Sequence, residues 1–94
     1  MSRPILLAVE EDQDALRELE SQLAQRYASD YRVLCIGDAD EALETLTRLA
    51  SSGEDMALVL AEQWLATTTG SELLARVREL HPHAKRALLI GWVE

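Results

Sequence analysis

The apolar positions of this chain follow two rhythms. Four short runs are apolar nearly throughout: Pro4 to Val9 (PILLAV), Tyr31 to Ile36 (YRVLCI), Met56 to Ala61 (MALVLA) and Arg86 to Ile90 (RALLI). Runs of this length without alternation predict strands covered on both faces, and Pro4 fits only at the start of the first. Between them the apolar residues recur at spacings of three and four. Leu16, Leu19, Leu23 and Tyr27 predict an amphipathic helix that Asp12 or Asp14 can cap and that runs to about Tyr27. Gly37 ends the second strand, and Asp38 with Glu41 three residues later makes a capping box for a second helix carrying Leu43, Leu46, Leu49 and Ala50. Ser51 to Asp55 (SSGED) is turn chemistry. Gly70 and Ser71 open a third helix with Leu73, Leu74, Val77 and Leu80 on one side, and His81 and Pro82 close it.

Strands alternating with helices imply right-handed crossovers around a parallel sheet. The expected fold is α/β, an open doubly wound sheet of the flavodoxin-like kind. In such sheets ligands gather at the carboxyl ends of the strands, where strand order reverses. Acids stand at two of those ends: Glu10, Glu11 and Asp12 follow the first run and Glu62 follows the third. If these strands are neighbours, the acids meet on one rim. Clustered carboxylates raise one another's pKa unless a cation sits among them, and Mg²⁺, which takes oxygen ligands, is the obvious one. The competing reading is that Glu10 to Asp12 are solvated residues suited to a helix N-terminus.

Composition narrows the function. Ninety-four residues, 48% of them hydrophobic, suit one small domain, and with two Trp, two Tyr and no Phe its core is aliphatic. A formal charge of −8 argues against binding nucleic acid or an anionic membrane directly. No apolar run approaches the roughly 20 residues that span a bilayer, and Met1 to Val9 lacks the pattern of a secretory signal, so a cytoplasmic protein is expected. Cys35, alone of its kind and inside a strand, reads as an inert thiol. His81 and His83 lack a third ligand and read as ordinary residues at a helix end. Thr67 to Thr69 suit a turn held by local side-chain bonds.

Three segments, ILLAVEED after the first strand, LVLAEQ at the third and TGSELLARVRELHPHAKRALLIG thereafter, resemble the receiver domains of bacterial response regulators. The resemblance runs over nearly the whole chain. It implies that an acid pair after the first strand, here Glu10 and Glu11, holds Mg²⁺, and that the phosphoacceptor position falls on Glu62. It places the switch position at Ile90, with Trp92 standing for the aromatic near it.

The departures from that pattern set the functional expectation. An aspartate is expected at position 62, and the Glu62 that stands there carries its carboxylate one methylene further from the backbone. Phosphoryl transfer depends on positioning, and a shift of about 1 Å can cost on the order of 10²-fold. The acid pair is Glu-Glu, so metal binding by Glu10, Glu11 and Glu62 is expected to be weak at best, and no other cofactor is expected. Ile90 has no hydroxyl to bond a phosphoryl oxygen. The expectation is a pseudo-receiver: a non-catalytic regulatory module, not phosphorylated, working through protein contacts. Its alternatives are a working phosphoacceptor and a structural capping or dimerising domain. Trp64, Leu65 and Trp92 are candidates for an interface or for core cover.

The receiver fold has five strands and five helices, whereas this sequence supports four and three. Residues 1–94 are therefore expected to form a single receiver-like domain lacking the last strand and two helices, with the first module of a longer protein as one reading of that shortfall. The fourth-strand edge would invite a fused output domain, a protein partner or a second copy in a homodimer.

Overall fold

The structure, a computed structural model, describes residues 3–90. Four parallel strands, β1 (Ile5–Val9), β2 (Arg32–Ile36), β3 (Met56–Glu62) and β4 (Lys85–Leu89), form one sheet in the order β2-β1-β3-β4. The connections are α1 (Gln13–Tyr27), α2 (Ala39–Ser51) and α3 (Gly70–Leu80). The expected doubly wound, flavodoxin-like architecture is what forms. The chain steps outward from β1 to β2 and then crosses to β3 on the other side. The ends of β1 and β3 therefore flank the point where strand order reverses.

Register decides which side of the sheet is the core. Val9 pairs with Ile36 and with Ala61, Leu7 with Leu34 and Val59, and Ala61 with Leu88. Paired residues in a parallel sheet share a face. This face meets Ala42, Leu46 and Leu49 of α2 and Leu73, Leu74 and Val77 of α3, and together they make the hydrophobic core. The stripes predicted for α2 and α3 are the ones buried, with Ala39 and Ala42 added and Leu43, Ala50 and Leu80 only half-buried.

Helix α1 departs from expectation. Its stripe of Leu16, Leu19 and Leu23 is half-buried, Tyr27 is exposed, and no residue of the helix is fully buried. It packs on β2 as a lid on the second face of the sheet, apart from the main core.

Each helix begins where a side-chain oxygen takes the free amides of its first turn. Asp12 accepts from Asp14 and Ala15, Asp38 from Asp40 and Glu41, and Thr69 from Glu72. Helix α2 ends in a Schellman turn, with the Gly53 N–H donating to Ala50 and the Glu54 N–H to Leu49. Gly53 sits there at φ +70°, a conformation that disfavours a side chain.

Candidate functional site

Glu62 is the last residue of β3 and Glu10 the first after β1. Because Val9 pairs with Ala61, the two acids come side by side at the reversal point. Both are half-buried. Partial burial above all, and then the neighbouring Glu62 carboxylate, hold the Glu10 carboxyl above its ordinary value, while the Asp12 N–H that donates to Glu10 Oε1 at 3.1 Å works against that rise. The convergence expected for Glu10 and Glu62 is present.

Glu11 does something else. Its Oε1 accepts the N–H of Ala66, fifty-five residues away, at 2.7 Å, and its Oε2 accepts the N–H of Ala39 at a longer 3.4 Å. Both oxygens are turned to backbone amides. Among the described residues no group of three or more His, Cys, Asp or Glu is arranged to hold a metal ion. The three acids that the resemblance would give to Mg²⁺ thus do not fit a shared cation, because Glu11 points its oxygens at two amides and leaves only the Glu10–Glu62 pair.

The loop after Glu62 is closed at its neck by Gln63. The Gln63 N–H donates to the Leu89 carbonyl at 3.3 Å, its carbonyl accepts from Gly70 at 2.9 Å, and its side-chain oxygen accepts from the Ser71 N–H and hydroxyl at 3.0 and 2.9 Å. Trp64 and Thr69 form a single antiparallel bridge across the neck. A Cβ built on Gly70 would meet the Glu62 carbonyl oxygen at 2.4 Å, so the absent side chain is what lets α3 begin against the end of β3.

No family model matches the chain. It is 35% identical over 79 residues, 82% of its length, to the hydrogenase transcriptional regulatory protein HoxA of Bradyrhizobium diazoefficiens, and it spans 15% of that protein's length. Among solved structures it is similar to the signal receiver domain of an HD domain-containing protein from Pseudomonas fluorescens, with a TM-score of 0.77 and 28% identity. That match covers 98% of this chain and 67% of the other. It is also similar to a CheY-like response regulator receiver domain protein from Methanospirillum hungatei, with a TM-score of 0.74 and 25% identity over 99% of this chain and 68% of that one. The chain is a response-regulator receiver domain.

Around this receiver's rim the remaining expectations divide. Ile90 follows β4 and is 77% exposed. Trp64 is 72% exposed, so its ring is not core cover, while Leu65 packs against the core from the same loop. Trp92 lies outside the described residues. Cys35 is half-buried, and burial first, then Glu20, push its thiol up to about 11, in keeping with an inert group. His81 was expected to be an ordinary helix-end residue. It is instead buried, and its Nε2–H donates to the Leu46 carbonyl at 2.8 Å, tying the end of α3 to α2. Sequence reasoning missed Gln63 and the reach of Glu11. A Gln or Glu before a loop carries no periodicity, so neither bond has a signal along the chain.

Proposed function

We propose that this receiver domain is a non-catalytic regulatory module that is not phosphorylated and acts through contacts with a protein partner or a fused output domain. The observation that carries this reading is the use of the acids. The acceptor position holds Glu62, beside a second carboxyl, and the Glu11 carboxylate is turned to backbone amides and away from a shared cation. Without a cation to neutralise charge between acceptor and donor, in-line phosphoryl transfer loses its main electrostatic support. Ile90 at the switch position adds a second deficit, since its side chain cannot hydrogen-bond a phosphoryl oxygen.

The contact surface that suits this role is the exposed Trp64 together with Leu88 of β4 and Ile90 just after it; among the described residues β4 pairs only with β3. An exposed Trp offers an anchoring ring, and the edge of β4 away from β3 offers backbone groups that no described residue pairs.

Intact mass tests the reading. The protein and a Glu62→Asp variant are incubated with MgCl₂ and acetyl phosphate. The expected result is no mass gain for the parent chain. A phosphoryl adduct on the parent would overturn the proposal and make Glu62 or a neighbour a working acceptor. An adduct on the variant alone would mean that one methylene silences an otherwise competent site.

A further inference from the structure

The β3–α3 loop, residues 63–69, leaves the sheet at the acidic rim and carries the exposed Trp64. Its neck is closed by the Gln63 bonds and the Trp64–Thr69 bridge. Two side-chain bonds tie its tip to the rest of the domain: the Thr68 hydroxyl donates to Glu72 Oε2 of α3 at 3.0 Å, and the Ala66 N–H donates across the rim to Glu11 Oε1 at 2.7 Å. The latter distance is typical of a charge-assisted bond.

The other oxygen of Glu11 reaches the first residue of α2. Ala39 is 3% exposed, so water cannot serve its N–H, and a buried amide needs an acceptor from the protein. Asp38 takes the next two amides, those of Asp40 and Glu41. Ala39 is left to Glu11 Oε2 at 3.4 Å, where the positive end of the helix also favours a carboxylate. One side chain from the end of β1 therefore touches two segments that no secondary structure joins.

We propose that Glu11 is a positioning residue, a built-in strut whose carboxylate pins the tip of the β3–α3 loop to the start of α2 and so fixes the presentation of Trp64 without a metal ion. Resting on the reading that this rim takes neither cation nor phosphoryl group, the strut holds the loop in one arrangement at all times. The length of Glu matters here: the side chain must span from the β1 end to two amides on different elements, and one methylene fewer shortens that reach. The substitution that spoils a metal shell is the same one that lets the carboxylate reach the loop.

The test uses ¹⁵N-labelled protein in a Trp92→Phe background, which leaves Trp64 as the single indole. Amide exchange is followed at Ala66 and Ala39, with and without millimolar MgCl₂, in the parent and in Glu11→Ala and Glu11→Gln variants. In the parent, both amides should be protected and indifferent to MgCl₂. In Glu11→Ala, Ala66 should exchange about tenfold faster, and Trp64 emission should shift. Glu11→Gln keeps the length and one acceptor oxygen, so it should restore part of the protection, an outcome that loss of packing alone would not give. Amides of α3 serve as the control that each variant is folded. Equal exchange at Ala66 in the parent and in both variants would overturn the strut. So would slowing of that amide by MgCl₂ in the parent, because a cation would then be holding the loop. Neither result depends on phosphoryl transfer, so a mass gain in the preceding experiment and a failure here are separate outcomes.

Discussion

The two neighbouring carboxyls at the strand ends impose a cost that depends on pH. The Glu10 carboxyl is held above its ordinary value by partial burial and by Glu62. A carboxyl whose folded pKa is raised contributes stability below its unfolded value, and that contribution is lost as pH rises through the folded value. At neutral pH the charged form is therefore the unfavourable one. Glu10→Gln should melt at a higher temperature than the parent chain at pH 7, and the gap should close as pH falls below about the ordinary value of 4.5. Thermal unfolding followed by circular dichroism across that range checks it; a gap that widens on acidification would contradict the cause assigned to the shift. That Glu10 and Glu62 meet was legible in the sequence, because strand length and strand order alone fix where two strand ends lie. That Glu11 faces away from them was not, since its partners lie twenty-eight and fifty-five residues further along.

The elements themselves were read closely from periodicity and capping residues. Where reading and structure part, packing is the reason. Glu62 was expected after β3 and is its last residue, because β4 runs far enough for Glu62 to pair with Leu89. Helix α3 was expected to open at Gly70 and Ser71 on turn chemistry. It does begin at Gly70, but the cap is Thr69, and Gly70 is there for space, since a Cβ would fall 2.4 Å from the Glu62 carbonyl and 2.8 Å from Leu88 Cδ2. Gly70→Ala should therefore destabilise the fold by about 2 kcal/mol, even though alanine is the better helix former. Urea unfolding measures it, and an unchanged or higher midpoint would show that the β3–α3 junction yields without cost.

At the scale of the molecule the two faces of the sheet are unequal. The face toward α2 and α3 holds the core, and His81 bonds across it to Leu46. The other face carries α1, which buries none of its residues fully. Helices that bury little open at low free energy. In native-state hydrogen exchange the amides of α1 should therefore open well before those around Leu46 and Val77, and uniform protection across the three helices would contradict this. The spacing of Leu16, Leu19 and Leu23 is as regular as that of α2 and hid the inequality, although α1 has the weaker apolar face; spacing alone says nothing of how much surface the opposite layer offers to cover it.

Gln63 gives the molecule a further property. Its backbone N–H is tied to the end of β4 at Leu89, while its carbonyl and side chain hold the first turn of α3 at Gly70 and Ser71. Strand and helix are thus both fastened to one residue at this end, while the Arg86 guanidinium bonds to the Leu74 carbonyl further along them. Drawing the end of β4 away from the start of α3 would break at least one of the Gln63 bonds, none of which involves a carboxylate.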